Sequence, residues 1–291
     1  MAQDVFSLGA MAIWADEKYE IELWALWISC GLMFALAMTF LGAERRHPRA
    51  KQFNYAMVAV CLISAACYYM MGMEPEPSGI GVSTVVQAND GSRPEYFFWM
   101  RYLDWLLTTP LIIACICMVA ELSVAEILFA AGLDMLMVAS GFVGAQYVAL
   151  MWPAFCVSMF FFIWLMAYVG VTCFDHASDL QDTMPRRACR VRALYFLTLI
   201  SWSLYPVLYI LTSGMMITRV MEVVGHAVLD FISKGIFGVL LLRDETMLVP
   251  RPSARALEKR QEQQEIAQRM QQQGQYAPAP MTSGRVPMYV R

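Results

Sequence analysis

The segment AVLDFISKGIFGVLLL, residues 227–242, carries Asp230 and Lys234 among side chains typical of a membrane interior. The other three lysines of the chain lie in charged flanks, at Lys18, Lys51 and Lys259. An ionisable side chain inside a membrane-length segment is costly and indicates a functional site. Asp230 precedes Lys234 by one helical turn, so its carboxylate can offset the buried ammonium. A desolvated lysine amine can also condense with an aldehyde to form a Schiff base.

The composition predicts a polytopic membrane protein. Of the 291 residues, 59% are hydrophobic and only 15% are charged, whereas about a quarter are charged in an average soluble domain. The net charge of −3 and the lack of a basic stripe argue against nucleic-acid binding. The eight cysteines show no spacing typical of zinc sites or disulfide frameworks, so we expect no metal.

Apolar runs long enough to cross about 30 Å of hydrocarbon occur at residues 21–43, 53–72, 96–118, 123–145, 148–172, 190–212 and 219–242. These runs predict an all-α membrane protein, a bundle of seven transmembrane helices. Arginine and lysine concentrate at residues 44–51, at 186–192 and after 243, and such loops remain in the cytoplasm. Residues 16–20 and 74–95 are acidic instead. The amino terminus is therefore expected outside and the carboxyl terminus in the cytoplasm.

The sequence also predicts the structure of the regions outside the helices. Residues 1–20 are expected to form an extracellular amino-terminal segment, and residues 21–245 the helical domain. Between the second and third helices, GVSTVVQANDGSRPEYFF (81–98) alternates β-favouring residues around a tight-turn signal, which predicts a short external β-hairpin. Residues 246–291 are polar, glutamine-rich and then proline-rich, which predicts a largely disordered cytoplasmic tail.

The third apolar run places four functional side chains on one helical face. Arg101, Asp104, Thr108 and Cys115 follow one another at spacings of 3, 4 and 7 residues. A buried arginine and aspartate there can pair with the lysine and aspartate of the last helix. We therefore expect two cations and two carboxylates in the bundle interior, since each would be very costly alone.

Three ordered motifs carry a resemblance to a known family. The third helix contains RYLDWLLTTP (101–110), the sixth WSLYP (202–206) and the seventh LDFISK (229–234). Together they resemble the microbial, type 1 rhodopsins, similar to bacteriorhodopsin, over roughly residues 20–245. The resemblance implies all-trans retinal bound covalently to Lys234 as a protonated Schiff base.

The resemblance also implies roles for the charged residues. Asp104 corresponds to the primary counterion and proton acceptor, and Asp230 to the second counterion. Arg101 corresponds to the residue that links this site to the outer half-channel, and Thr108 to a hydrogen-bond donor to the acceptor carboxylate. Glu222 corresponds to one member of the external proton-release group. The loop before the seventh helix lacks the second acidic member.

Around retinal, the resemblance and the residue types predict flat aromatic walls, two methionines that fill irregular space, and a glycine that leaves room for the ionone ring. The pocket residues are Trp105, Thr109, Met137, Gly141, Trp152, Met159, Trp202, Tyr205, Pro206 and Tyr209. Thr109 is expected to bond Asp134 beside the chromophore. Tyr68 is expected to bond the second counterion, and Tyr102 to lie near the counterions. His226 faces the outer half of the last helix.

One departure concerns the inner half. Where proton-pumping relatives carry a carboxylic acid as cytoplasmic donor, this chain has Cys115, and the position facing it on the second helix is Met57. A thiol, with an ordinary pKa of about 8.5, is a poor proton donor at neutral pH. Reprotonation is therefore expected to be slow.

The leading hypothesis is a light-driven outward proton pump in the membrane lipid, with protons as its cargo. A photosensory rhodopsin without efficient transport is the first alternative, and its signalling partner is not evident from the sequence. A light-gated ion channel is less favoured, because residues 53–72 contain no acidic residue. No enzymatic activity is expected, because an aldolase-like lysine would need an aqueous cleft. We expect a homo-oligomer.

Overall fold

A computed structural model describes residues 2–44, 51–73, 83–87, 94–181, 184–214 and 216–243. Seven helices are long and apolar enough to cross a membrane, which confirms the predicted bundle. They are α1 (Ala2–Glu44), α2 (Lys51–Met73), α3 (Trp99–Val119), α4 (Val124–Gln146), α5 (Met151–Gln181), α6 (Pro185–Ser213) and α7 (Arg219–Leu242). A short 3₁₀ turn, Val148–Leu150, precedes α5.

The bundle is apolar on its outside as well as within. Trp24, Ile28, Leu128 and Ile163 each expose more than 60% of their surface, a distribution that suits a lipid environment rather than water. Several ionisable and hydroxyl side chains are instead buried between the helices. Helices satisfy all their interior backbone hydrogen bonds, which a hydrocarbon surrounding requires.

Two helices are longer than their apolar runs. α1 continues back to Ala2, whereas the sequence predicted a separate segment over residues 1–20. α5 continues to Gln181, nine residues past its predicted end. In both cases the helical backbone hydrogen bonds continue into sequence that is less apolar than the membrane-length run.

The basic stretch at residues 186–192 is part of α6 and not of a loop, which corrects the sequence-based prediction. α6 begins at Pro185, because proline suits the first helical turn. The Arg187 side chain is 2% exposed and donates from Nε to the carbonyl oxygen of Val119 at 2.7 Å. Its Nη1 lies 2.7 Å from Glu121, whose φ of 65° closes α3 in the left-handed region. Arg187 thereby caps the carbonyl end of α3.

Two strands lie between α2 and α3. β1 (Ser83–Gln87) and β2 (Pro94–Phe98) pair antiparallel, with Ser83 opposite Phe98. The turn residues, 88–93, are outside the described residues, so the predicted hairpin stays a prediction. The basic loop at 45–50 and the tail from 244 onward are also outside them.

α7 changes its hydrogen-bonding pattern around the lysine. Residues Phe231–Ile236 form a π-helical turn, in which the Phe237 amide donates to the carbonyl oxygen of Ile232, five residues earlier. Such turns often occur at functional sites. Here the turn contains Lys234 and begins directly after Asp230.

Candidate functional site

Lys234 lies at the centre of the bundle with 1% of its surface exposed. Its Nζ is 2.5 Å from Asp104 Oδ2 on α3 and 3.6 Å from Asp230 Oδ1 on α7. Both carboxylates are also buried, at 1% exposure each. The predicted pairing of this lysine with two counterions is thus present. The shorter distance makes Asp104 the better-placed partner for a proton on Nζ.

Asp104 has hydrogen-bond donors besides the lysine. Ser64 on α2 donates to its Oδ1 at 2.7 Å. The Thr108 hydroxyl was expected to bond the Asp104 carboxylate, but its short bond, 2.7 Å, goes to the Asp104 backbone oxygen. Its distance to Oδ1 is 3.4 Å, at the outer limit of a hydrogen bond. The difference arises because a helical threonine reaches the carbonyl one turn earlier most easily.

Asp230 is held by two phenols. Tyr68 donates to its Oδ2 and Tyr205 to its Oδ1, each at 2.6 Å. Tyr205 also lies 3.1 Å from Ser233. The bond from Tyr68 was predicted from the sequence. Two hydroxyl donors stabilise the charged carboxylate, so Asp230 is suited to remain an anion beside Lys234.

Arg101 does not complete the predicted quartet with Lys234 and Asp230. Its Nη1 pairs instead with Glu222 Oε1, at 3.0 Å, near the amino end of α7. Arg101 is 4% exposed, whereas the Glu222 side chain is 21% exposed, so the pair joins the buried interior to the more accessible end of the bundle. His226 lies one turn after Glu222, with Nδ1 2.8 Å from the Glu222 carbonyl oxygen. The charged residues therefore form two groups, Lys234 with Asp104 and Asp230, and Arg101 with Glu222.

We call the part of the bundle with Arg101, Asp104, Glu222 and Asp230 the acidic half. It contains the amino-terminal portions of α3 and α7. Beyond Lys234 lies what we call the apolar half, a buried cluster in which Met57, Ile112, Cys115, Ile116 and Phe237 are all 0% exposed. Cys115 and Met57 share this cluster, as the sequence predicted. Among the described residues, the side chains that bond or pair with Lys234 are Ser64, Asp104 and Asp230, which lie on the side of the acidic half.

Most predicted pocket residues lie together. Trp105 on α3 contacts Tyr205 on α6 edge to face, with ring centroids 5.2 Å apart. Trp202 is 5% exposed in the same core against which Tyr205, Met137 and Met159 pack. Pro206 lies within α6, and Tyr102 lies edge to face against Trp105 at 5.2 Å.

The outer wall of the pocket needs one correction. Tyr209 stacks on Phe155 at 5.3 Å with an interplanar angle of 4°. Trp152 was predicted to line the pocket, but 49% of its surface is exposed, and its ring lies edge to face with Phe155, with ring centroids 6.0 Å apart. Its position near the start of α5 turns the indole outward.

The hydrogen bond between α3 and α4 is present as predicted. Thr109 donates to Asp134 Oδ2 at 2.7 Å, and Asp134 is 0% exposed. The Thr109 hydroxyl also lies 2.7 Å from the Trp105 carbonyl oxygen. This contact ties α4 to the helix that bears the Asp104 carboxylate.

Sequence reasoning missed Ser64, which contacts both Asp104 and Lys234. It also missed the partner of Arg101. Ser64 lies seven residues, two helical turns, after Met57 and four before Tyr68, so its helical face could have been recognised from those two residues. A lone serine in an apolar helix carries no motif, and the serine was therefore overlooked.

Comparisons with known proteins identify the family of this chain. The family described as Bacteriorhodopsin-like protein matches residues 20–248. Bacteriorhodopsin-I of Haloquadratum walsbyi is 30% identical over 252 residues, 80% of this chain and 93% of that protein. A thermophilic rhodopsin from Rubrobacter xylanophilus has a TM-score of 0.70 and 28% identity, over 78% of this chain and 97% of its own. The light-driven proton pump rhodopsin of Coccomyxa subellipsoidea has a TM-score of 0.70 and 25% identity, over 77% and 97%.

Seven apolar helices around a lysine paired with two carboxylates define an integral membrane protein with a buried ion-pair site. The chain belongs to the bacteriorhodopsin-like family of microbial, type 1 rhodopsins.

Family membership implies a retinal chromophore, and the residues present fit one. The buried primary amine of Lys234 can bind an aldehyde. The Trp105 indole nitrogen is buried without a hydrogen-bond partner among the described residues, as expected beside an apolar polyene. A Cβ on Gly141 would make only ordinary contacts, 3.4 Å from Ser158 and 3.7 Å from Tyr102. Packing within the protein therefore does not require glycine there, and the absence of a side chain is compatible with a bound ring.

Proposed function

We propose that this protein is a light-driven outward proton pump that holds all-trans retinal on the Lys234 amine. The observation that carries the proposal is the 2.5 Å contact between Lys234 Nζ and Asp104 Oδ2 inside an apolar bundle. Retinal supplies light absorption and a light-driven change of shape at that nitrogen. The residues of the chain determine where the proton goes.

Asp104 receives the proton. Its carboxylate is nearer to Nζ than that of Asp230, whose two oxygens already accept hydrogen bonds from Tyr68 and Tyr205. Protonation is less favourable for a carboxylate that already accepts hydrogen bonds from two phenols than for one that does not. Transfer from Lys234 to Asp104 also neutralises a buried ion pair, which lowers the cost of charge in the bundle.

The acidic half then provides the exit. Arg101 and Glu222 form the next charged pair along α3 and α7, and Glu222 is partly exposed, at 21% for its side chain. Once Asp104 is neutral, its attraction for the Arg101 guanidinium weakens, which favours still closer pairing with Glu222. We infer that the proton leaves through this pair.

The apolar half restricts the return path. Cys115 replaces the donor carboxylic acid of pumping relatives and lies in a cluster with Met57 and Ile116. A proton from the cytoplasm must cross this cluster without a strong internal donor. Reprotonation of Lys234 is therefore the slow step in our proposal.

Outward direction rests on the orientation of the chain. We place the amino terminus outside and the carboxyl terminus in the cytoplasm, because basic residues flank the opposite end of the bundle from the acidic half. The protein works in lipid as an integral multi-pass protein with no enzymatic turnover, and we expect a homo-oligomer.

Light-dependent transport can be measured directly. Cells that express the protein with added retinal should acidify the medium in light, and a protonophore should abolish the signal. Lys234→Ala provides the control, because it removes the amine that binds retinal. An external pH that does not respond to light, in cells that contain the coloured protein, would refute pumping.

A photosensory function is the second candidate, and the buried Cys115 favours it. The sensor hypothesis predicts a slow photocycle without net transport, and the same light-driven pH measurement separates the two. A photocurrent that reverses with the ionic gradient would instead indicate a channel.

A further inference from the structure

A buried serine connects the lysine with its carboxylate partner. Ser64 on α2 is 0% exposed. Its Oγ donates to Asp104 Oδ1 at 2.7 Å and accepts from Lys234 Nζ at 2.8 Å. A hydroxyl has one donor and two acceptor positions. The serine therefore links both reacting groups in the order nitrogen, hydroxyl, carboxylate.

The bonding pattern of Ser64 differs from that of three other serines in the bundle. Ser29, Ser201 and Ser203 each donate to the carbonyl oxygen four residues earlier in their own helix, at 2.6 to 2.7 Å. That local bond is the usual arrangement for a serine in a helix surrounded by hydrocarbon. Ser64 instead directs its proton to the side chain of Asp104 on another helix.

The number of protons on the nitrogen makes this contact important. A free lysine ammonium has three protons, but a protonated imine nitrogen carries only one. Asp104 Oδ2 and Ser64 Oγ lie 2.5 and 2.8 Å from the amine of the free lysine, and with retinal bound they would compete for that single proton. If the N–H bond turned away from Oδ2, the Ser64 oxygen would be a near acceptor that is already bonded to the same carboxylate.

We propose that Ser64 is a catalytic residue that relays the proton from Lys234 to Asp104. As the proton leaves Nζ for Ser64 Oγ, the original hydroxyl proton of Ser64 passes to Asp104 Oδ1. One N–H bond and one O–H bond break, and two O–H bonds form. The serine ends neutral, the nitrogen loses its charge and Asp104 becomes a neutral acid.

The relay also explains the choice of carboxylate. Ser64 contacts Asp104, while the oxygens of Asp230 accept from the hydroxyls of Tyr68 and Tyr205. A proton that enters the serine hydroxyl can therefore continue only to Asp104 among the two counterions. This inference rests on the proposed function, because it assigns the path of the first proton transfer.

The test compares Ser64→Ala with Ser64→Thr, which keeps the hydroxyl, and with Ser29→Ala as a matched control. Flash photolysis of each retinal-loaded protein gives the rate of proton loss from Lys234. The absorption maximum in the dark and the deuterium shift of the C=N stretch in the Raman spectrum report contacts of the nitrogen independently of the photocycle. Visible absorbance relative to total protein establishes that each variant has folded and bound retinal.

Ser64→Ala should slow the loss of the proton about fivefold, the rate equivalent of one hydrogen bond. Its dark absorption should shift to shorter wavelength, because the hydroxyl no longer shares the negative charge of Asp104, and its deuterium shift should change. Ser64→Thr should restore all three properties, and Ser29→Ala should change none.

A Ser64→Ala protein that loses the proton as fast as the parent, or faster, would overturn the relay. A slowing that Ser64→Thr fails to restore would also overturn it, because the hydroxyl would not be the cause. A parent protein that binds retinal but never loses the Lys234 proton in light would refute the proposed function as well. The two failures can therefore be distinguished.

Discussion

Replacing Cys115 with aspartate should accelerate reprotonation of Lys234 about a hundredfold. Cys115 lies eleven residues after Asp104 on α3, which at 1.5 Å per residue is about 16 Å along the helix axis. It is 0% exposed in the apolar half. A positioned proton donor contributes roughly 10²- to 10⁴-fold to a transfer rate. We take the lower limit because Met57, on the facing helix, cannot hydrogen-bond a carboxyl group.

The same substitution should reduce stability. A neutral carboxyl group without partners in this cluster costs about 1 to 3 kcal/mol, which corresponds to a fall in melting temperature of roughly 2 to 10 °C for a domain of this size. Adding Met57→Thr should recover part of that loss and accelerate reprotonation further, because it supplies a hydroxyl on α2. The double variant thereby tests whether positions 57 and 115 act together.

The assay is flash photolysis of purified protein at several pH values. In the parent protein, the proton comes from the cytoplasmic solvent. The reprotonation rate should therefore be proportional to the proton concentration and should decrease as the pH rises. Cys115→Asp should make that rate nearly independent of pH around neutrality, because an internal acid supplies the proton.

Cys115→Ser is the matched control, since it is small and polar but cannot act as an acid at neutral pH. If Cys115→Asp forms a stable pigment and still reprotonates no faster than Cys115→Ser, the apolar half is not the barrier. Our account of the slow step would then be refuted.

Three further predictions follow from buried charged contacts. Asp104→Asn removes about 7 kcal/mol of attraction to Lys234 at an effective dielectric constant of ~20. Transport should cease and visible absorption should shift to longer wavelength. Continued light-driven acidification would contradict the assignment of Asp104 as acceptor. Glu222→Gln breaks the pair with Arg101 and should delay proton release roughly tenfold. An external pH dye measures that release. An unchanged rate of release would exclude Arg101 and Glu222 as the exit. Arg187→Gln should lower the free energy of unfolding by about 2 to 3 kcal/mol, measured by thermal melting. Arg192→Gln should have little effect, because Arg192 is only partly buried and its bond to Gln181 is exposed. Equal effects would disprove the cap on α3.

Much of the fold could be predicted from hydropathy, because a membrane permits few structures and long apolar runs must be helical. The ends of the helices were less predictable. α1 and α5 continue beyond their apolar runs, and α6 begins before its own. Helix ends depend on caps and on tertiary contacts such as the one between Arg187 and Glu121. Such contacts have no local sequence pattern.

The site divides in the same way. Lys234, Asp104 and Asp230 were recognisable because a charge inside a membrane-length segment is costly and therefore conspicuous. The partner of Arg101 could not be recognised from the sequence. Arg101 could have paired with either counterion, and only the relative positions of α3 and α7 bring it to Glu222.

The sequence by itself determined the class of protein, the lysine, its two carboxylates and the unusual cysteine. Each of these rests on residue type and helical spacing within one segment. The tertiary structure decided the order of contacts, in which Lys234 lies closer to Asp104 than to Asp230 and Ser64 joins the first pair. The two distances differ by about 1 Å, and our proposal that Asp104 receives the proton depends on that difference. They arise from the packing of three helices and from the π-helical turn at the lysine, which hydropathy and spacing do not encode.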